Sequence, residues 1–301
     1  MTKKIAYVIN HISFFTSHII PLALKAKKNG YKIKIFCGHG GSKEMEIESR
    51  KILKKNKIDF KNIGFFPASK NIFSEFKYLI FFLKEIKKYN PDIIHGISLK
   101  GVLYSCVYFN FYGVKKLICF ITGMGYFFTN KIKFYDQILK KIILFIIKIS
   151  LKSKNSLLVI ENKTDKNFFV EKVKINKSKI HIFDGVGVDL KKFKFKIKKK
   201  KKIVLFPARV FIEKGIKEFL NSANILSKNF PNWKFYVAGT LNYKKNQKIF
   251  INKINKKNIK FYGHYKKIHE LFNQSAIVCL PSYREGFPKS LIEASASGCA
   301  I

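Results

Sequence analysis

Glu285 and Glu293 stand eight residues apart in the run Pro281-Ser-Tyr-Arg-Glu-Gly-Phe-Pro-Lys-Ser-Leu-Ile-Glu293. A strand-like segment, Ile277–Leu280, leads into a tight loop with Gly286 and Pro288, and a helical pattern begins near Lys289. In a parallel sheet such a loop lies at the carboxyl end of its strand, where ligands bind. The amides that open the next helix, at its positive dipole end, favour a phosphate. Glu285 then sits in the loop and Glu293 in the second helical turn. So placed, the two carboxylates can accept hydrogen bonds from two different sets of sugar hydroxyls. The alternative is that Glu285 is a turn residue and Glu293 a surface helix residue, the ordinary meaning of an isolated pair at this spacing.

A second segment, Val204-Leu-Phe-Pro-Ala-Arg-Val-Phe-Ile-Glu-Lys-Gly215, delivers Arg209 from a buried strand into a loop, with Lys214 just before a helix start at Gly215. Two cations beside a helix N-terminus suit a diphosphate, Arg by its planar fork and Lys as a point charge. Lys214 alone carries little information in so lysine-rich a chain. Arg209 carries more, because two of the three arginines, Arg209 and Arg284, fall in these two loops.

The elements that must position these groups follow from apolar periodicity. Strands are expected at Lys4–Ile9, Lys32–Cys37, Asp92–His95, Leu117–Ile121, Ser156–Ile160 and Lys179–Phe183. Helical patterns fall between them at His18–Asn29, Lys43–Lys55, Ile72–Tyr89, Gly101–Phe111, Phe134–Leu151 and Thr164–Val173. Apolar strands alternating with helices of this length indicate βαβ units and a parallel sheet covered on both faces. The lysine-dominated run Lys191–Lys202 reads as a solvated linker. The alternation then restarts: strands at Ile203–Phe206, Lys234–Val237, Ile259–Tyr262 and Ala276–Leu280, helices at Lys214–Ser227, Lys245–Asn255, Lys267–Asn273 and Lys289–Ser297. With 301 residues, the expected fold class is α/β with two domains, at residues 1–185 and 186–301. The final residues, Ser297-Gly-Cys-Ala-Ile301, read as a helix-capping glycine followed by the first residues of another strand. The second domain is therefore expected to be incomplete, lacking at least one further βα unit.

Composition narrows the classes. The formal charge of +42 arises from 60 Lys+Arg against 18 Asp+Glu, a balance that suggests nucleic acid or an anionic membrane. Nucleic-acid surfaces usually draw on the bidentate Arg fork, however, and arginine is scarce here. Polybasic faces can still favour anionic lipid. No uninterrupted apolar stretch reaches the ~18–20 residues that span a bilayer. Ile138–Leu151 comes nearest and is broken by Lys140, Lys141 and Lys148. The first residues, MTKKIAYVIN, contain no signal-peptide h-region, so a cytoplasmic location is expected. The five cysteines are widely spaced and form no C-x-x-C pair, which reads as buried thiols. There is no P-loop, nucleophile elbow or H-E-x-x-H; Gly123-x-Gly125 and Gly185-x-Gly187 are too short for a dinucleotide fingerprint. The aromatic stretch Phe65–Phe82 is read as core and helix packing, with a lysine-flanked surface on an inner leaflet as the alternative; Phe134–Leu151 shares that ambiguity.

In combination, Arg209, Lys214-Gly215, Ala238-Gly239 and Glu285-Gly286-Phe287-Pro288 through Glu293-Ala294 resemble the family 4 retaining glycosyltransferases. Further features agree along nearly the whole chain. Asn10–His18 is similar to the family's acceptor-side loop and first helix, Pro91-Asp-Ile-Ile-His95 to its "PDIIH" strand, and Gly185-Val-Gly-Val-Asp189 with Phe193 to its "G-x-G-V-D…F" segment. Ile121–Thr129 resembles a subgroup acting on sugars carried by polyprenyl diphosphate.

The resemblance implies GT-B architecture, two Rossmann-like domains facing across a cleft. It implies that Arg209 and Lys214 bind the donor diphosphate and stabilise the leaving group, that Glu285 contacts the transferred sugar, and that Glu293 holds the ribose. Gly286, Phe287, Pro288, Ser290 and Gly239 would complete the donor site. No metal or cofactor is implied beyond a nucleotide sugar, of UDP type, as co-substrate; fixed cations and amides would meet the leaving charge. The chain departs from the family where many relatives carry a His near the sugar, at Thr122-Gly123, so Thr122, Gly123, His95 and His18 stand as acceptor-side candidates. A front-face mechanism, in which the leaving phosphate takes the acceptor proton, needs no side-chain base. The expected function is transfer of a hexose or N-acetylated hexosamine to a glycan or lipid-linked acceptor, at or near the inner membrane face. The alternatives are another GT-B enzyme, such as a sugar-nucleotide epimerase, and a basic nucleic-acid-binding protein, for which no RNP, helix-turn-helix or zinc pattern is present.

Overall fold

The structure, a computed structural model, describes residues 2–40, 43–65, 71–124, 134–195, 200–241 and 258–301. It divides into two compact units, Met1–Asp184 and Gly185–Ile301.

The first unit begins with β1 (Lys4–His11), α1 (Ile12–Phe14), a π-helical segment (Phe15–Ile19), α2 (Ile20–Lys28), β2 (Lys32–Gly38) and α3 (Lys43–Lys55). It continues through β3 (Asp59–Asn62), α4 (Ile72–Tyr89), β4 (Ile93–Ile97), α5 (Ser98–Tyr112) and β5 (Lys116–Ile121). It closes with α6 (Phe134–Leu151), β6 (Ser156–Ile160), α7 (Lys163–Glu171) and β7 (Ile180–Ile182). The strands form one parallel sheet in the order β3-β2-β1-β4-β5-β6-β7. Strand order reverses between β1 and β4, and the crevice at their carboxyl ends is where open α/β sheets bind ligands. Ile5–Ile9 is buried along its whole length, the near-continuous apolar run of a strand covered on both faces. Asp92 of the "PDIIH" motif lies at the opposite end of the strands. It accepts from the Lys4 amide at 2.9 Å and pairs with Lys115 at 2.8 Å, ties that hold its carboxyl below the usual range.

Local chemistry sets the helix ends. The Asn71 side chain caps α4 by accepting from the Ser74 amide, and Asn90 closes the helix at φ 51° before Pro91. Helical structure after β1 starts at Ile12, earlier than the expected His18, because His11 Nδ1 accepts from the Phe14 amide at 3.2 Å and caps it. The turn then widens into the π segment, where the Thr16 and Ser17 hydroxyls bond back to preceding carbonyls and Pro21 has no N–H to donate. β3 was not expected: its sequence DFKN lacks apolar alternation, and it forms by pairing with β2 at the sheet edge.

In the second unit, β8 (Lys201–Phe206) leads through a 3-10 turn (Ile212–Lys214) to α8 (Ile216–Asn229). β9 (Lys234–Ala238), β10 (Ile259–Gly263), α9 (Ile268–Gln274), β11 (Ser275–Val278) and α10 (Lys289–Ala296) follow. The sheet is parallel, in the order β10-β9-β8-β11, and Ala300 makes a parallel bridge to Ile277 on its β11 side. The expected helix Lys245–Asn255 lies outside the described residues.

The lysine run is not a solvated linker at either end. Asp189 accepts from the Lys191 amide and turns the chain so that Phe193 is buried against Phe272. Lys200 Nζ donates to the carbonyls of Phe272 and Ser297 at 2.9 and 2.7 Å, and β8 takes up Lys201 and Lys202. An ammonium group placed on late helix carbonyls satisfies acceptors that the helix itself leaves open. All five cysteines are free, and Cys37, Cys106, Cys119 and Cys299 are buried. Among the described residues no helix is long and apolar enough to cross a membrane.

Candidate active site

Sequence-distant residues meet at the carboxyl ends of β8 and β11, which are neighbours in the second sheet. Lys214, at the end of the 3-10 turn, pairs with Glu285 at 2.5 Å, both side chains being about three-quarters shielded from solvent. Arg209 follows β8, its guanidinium 5.0 Å above the Phe211 ring. The residue is solvent-exposed, with protein packed around part of its guanidinium. That crowding lowers its pKa from the ordinary arginine value, and the charge of nearby Glu285 opposes the shift. Arginine remains cationic throughout. Two cations thus act on one carboxylate, Lys214 by direct pairing and Arg209 electrostatically.

Backbone contacts lock the two loops together. Gly215 has φ +76°, and a Cβ there would collide with the Pro281 carbonyl, so the start of α8 lies directly on the loop after β11. The Tyr283 amide donates to the Glu213 carbonyl at 3.0 Å, and the Tyr283 hydroxyl donates to Glu218 at 2.6 Å. Gly239, just after β9, brings a third loop in: a Cβ there would strike the Ala208 carbonyl. Phe287 packs on Gly185, and Pro288, at the N-cap of α10, offers no side-chain acceptor to the helix amides. Gly286 and Ser290 are half-buried on the same connection. The Ser282 hydroxyl is buried with no hydrogen-bond partner among the described residues.

Glu293 lies one turn into α10. It pairs with Lys289 at 3.6 Å, and its side chain is 13% exposed. Burial pushes its pKa above the ordinary carboxylate value; the charges of Lys289 and Lys192 act against that shift. The structure therefore pairs Lys214 with Glu285, sets Arg209 within electrostatic range of the same carboxylate, and places Glu293 further along the loop–helix connection with its own lysines.

The acceptor-side candidates lie in the first unit. Thr122 and Gly123 follow β5 at its carboxyl end, Gly123 with φ 140°. His18 stacks on Phe14 with ring centroids 4.3 Å apart and bonds to the Ser17 hydroxyl. His95 sits mid-strand in β4, buried between Tyr7 and Phe120. Burial lowers its pKa to about 4, so it is neutral, and its Nε2 has no partner among the described residues.

The sequence reading did not single out His11, His39 or Ser98. His11 ends β1, bonded to Ser13 and packed on Gly40; His39 follows β2 and contacts Asn62. Ser98 opens α5 at the switch point with φ 62°, a left-handed conformation that costs a non-glycine residue energy. Asn10 Oδ1, beside His11, is buried without a partner among the described residues. The flagged segment Asn10–His18 contained His11; nothing in composition or spacing marked the others.

Comparison with known proteins gives a consistent result. A family model described as glycosyl transferase 4-like matches residues 4–162, and one described as glycosyl transferases group 1 matches residues 188–301. The chain is 29% identical over 251 residues to the N,N'-diacetylbacillosaminyl-diphospho-undecaprenol alpha-1,3-N-acetylgalactosaminyltransferase of Campylobacter jejuni, covering 79% of this chain and 65% of that protein. A second C. jejuni protein, a GalNAc-alpha-(1->4)-GalNAc-alpha-(1->3)-diNAcBac-PP-undecaprenol alpha-1,4-N-acetyl-D-galactosaminyltransferase, is 28% identical over 126 residues, 42% of this chain and 33% of that one. Among solved structures, Anabaena Alr3699/HepE in complex with UDP and glucose superposes with a TM-score of 0.73 at 12% identity, covering 99% of this chain and 79% of its own.

Proposed function

Because the chain belongs to the glycosyl transferase 4-like family, we propose that it transfers a sugar, with retention, from a UDP-sugar to an acceptor carried on a polyprenyl diphosphate lipid. One observation carries the donor half of this reading: Arg209, Lys214 and Glu285 converge on the strand tips beside the start of α10. Such a cluster has the charges a sugar diphosphate requires, cations for the phosphates and a carboxylate for a sugar hydroxyl. Glu293 would accept from the ribose hydroxyls. The leaving diphosphate would be neutralised by Arg209 and Lys214 and by helix amides, so transfer should proceed without an added metal or cofactor. As the glycosidic bond breaks, the leaving phosphate oxygen would take the acceptor's proton on the same face. The acceptor half is supported by the two C. jejuni relatives, both named for undecaprenol-linked substrates. Nucleotide sugars are cytoplasmic metabolites, so the reaction is placed at the inner membrane face. Both matching models are those of glycosyl transferases, which favours transfer over epimerisation.

The test is a transfer assay with UDP-N-acetylgalactosamine and a short-chain polyprenyl-diphosphate sugar, read by mass spectrometry. Transfer should occur in the presence of a chelator. Arg209→Ala should lower kcat by roughly 100- to 1000-fold, as removal of a preorganised charge donor does elsewhere, and remove the thermal shift given by UDP. Donor inversion without acceptor, or unchanged UDP binding in the variant, would overturn the reading.

A further inference from the structure

Helix α6 has two apolar faces. One packs into the core of its unit, where Ile143, Ile147 and Leu151 are buried. The other carries Phe134, Ile138, Ile142, Phe145 and Ile149, all exposed. Their spacing of four, four, three and four residues aligns them in one stripe about 22 Å long. Phe134 is 78% and Phe145 63% exposed. Along one edge of the stripe Lys141, Leu144, Phe145 and Lys148 form a groove against Phe168, Lys172 and Val173, with a volume of about 230 Å³. Its floor is apolar and its rim carries three ammonium groups. The acidic residue of α6, Asp136, is buried and does not face this surface.

An apolar stripe edged by cations matches the boundary of an anionic bilayer, where side chains enter the acyl region and ammonium groups meet phosphates. A second copy of the chain fits less well. Pairing two such faces would bring their lysine rims together, in a molecule already carrying +42. We infer that the outer face of α6, with the α6–α7 groove, docks on an anionic membrane surface. A lipid phosphate lies among Lys141, Lys148 and Lys172, and the adjoining acyl chain lies on Phe145 and Phe168. The inference depends on the lipid-linked-acceptor reading only for why the protein meets a membrane. The two fail separately: vesicle binding can be lost while transfer to a water-soluble acceptor persists.

The test is co-sedimentation of the 301-residue chain with vesicles of phosphatidylcholine, alone or with about 30 mol% phosphatidylglycerol. The protein should pellet with the anionic vesicles. Ile142→Ser/Phe145→Ser, which leaves the charge unchanged, should lower partitioning by roughly tenfold or more. Lys54→Glu/Lys55→Glu on α3 changes the net charge by four and should have a much smaller effect. In a separate variant, Phe145→Trp emission should shift to the blue and be quenched by brominated lipid, which reads depth directly even if the double variant unfolds. Undiminished pelleting of the Ser variant, or an unquenched Trp, would overturn the proposal. So would a wild-type dimer that the Ser variant converts to monomer without change in vesicle binding.

Discussion

Glu293 shows how one side chain's surroundings set its chemistry. Its carboxyl is largely buried, and burial raises its pKa above the ordinary carboxylate value despite Lys289 and Lys192. An ionised carboxylate accepts from two ribose hydroxyls more strongly than a protonated carboxyl does. UDP affinity should therefore fall on acidification, with its inflection above the ordinary carboxylate range, and Glu293→Gln should weaken UDP by roughly tenfold and abolish the inflection. Titration calorimetry across pH checks both. The stability contribution has the opposite sense: a raised carboxyl pKa favours the fold in acid and is lost as pH rises through it, so Glu293→Gln should not destabilise at neutral pH. His95 behaves differently. Its pKa, lowered by burial to about 4, means that the unfolded chain binds its proton first as pH falls below about 6.5. Stability should then decline between pH 6.5 and 4, by on the order of 3 kcal/mol. His95→Met should flatten that decline in denaturant titrations while leaving kcat within a few-fold, whereas an acceptor-binding His95 would cost activity.

At the scale of elements, the donor cluster depends on how closely two loops approach. Gly215 combines a left-handed φ with backbone contact to Pro281, so neither its torsion nor its space admits a side chain. Gly215→Ala should destabilise the second unit by about 1–3 kcal/mol, and it should weaken UDP more than its stability loss explains, because the β8 and β11 loops are forced apart. Thermal unfolding with and without UDP separates the two effects. The amphipathic helices were readable from periodicity: α3, α4 and α6 run between the expected residues. Their outward faces were not. In α4, Phe82 and Ile86 enter the core while Phe73 and Phe76 are exposed, so the aromatic segment serves both core and surface; residues 66–70 of it lie outside the described residues. Apolar residues on both sides of a helix do not by themselves say which side meets the sheet.

For the whole molecule, charge is the dominant long-range quantity. With 60 Lys+Arg against 18 Asp+Glu, repulsion between lysines outweighs what the exposed ion pairs contribute, since such pairs stabilise weakly. Added salt screens the repulsion more than it costs in pairing. Raising NaCl from about 20 to 200 mM should lift the melting temperature by roughly 5 °C; a fall, measured by scanning calorimetry, would show that attractive pairs dominate instead.

What the sequence determined by itself is the periodic and the local. Most of the strand and helix order (β3 apart), the parallel sheets and the loops bearing Arg209, Lys214, Glu285 and Glu293 follow from apolar spacing, glycine and proline placement, and side-chain type. Tertiary structure alone decided what those residues touch. It paired Lys214 with Glu285 across 71 residues, withdrew His95 into the sheet, turned lysines 200–202 from a tether into structure, and put His11 and His39 at neighbouring strand tips. The reason is physical: periodicity reports which face of an element avoids water, whereas pairing and burial depend on neighbours that the chain supplies from far away in sequence.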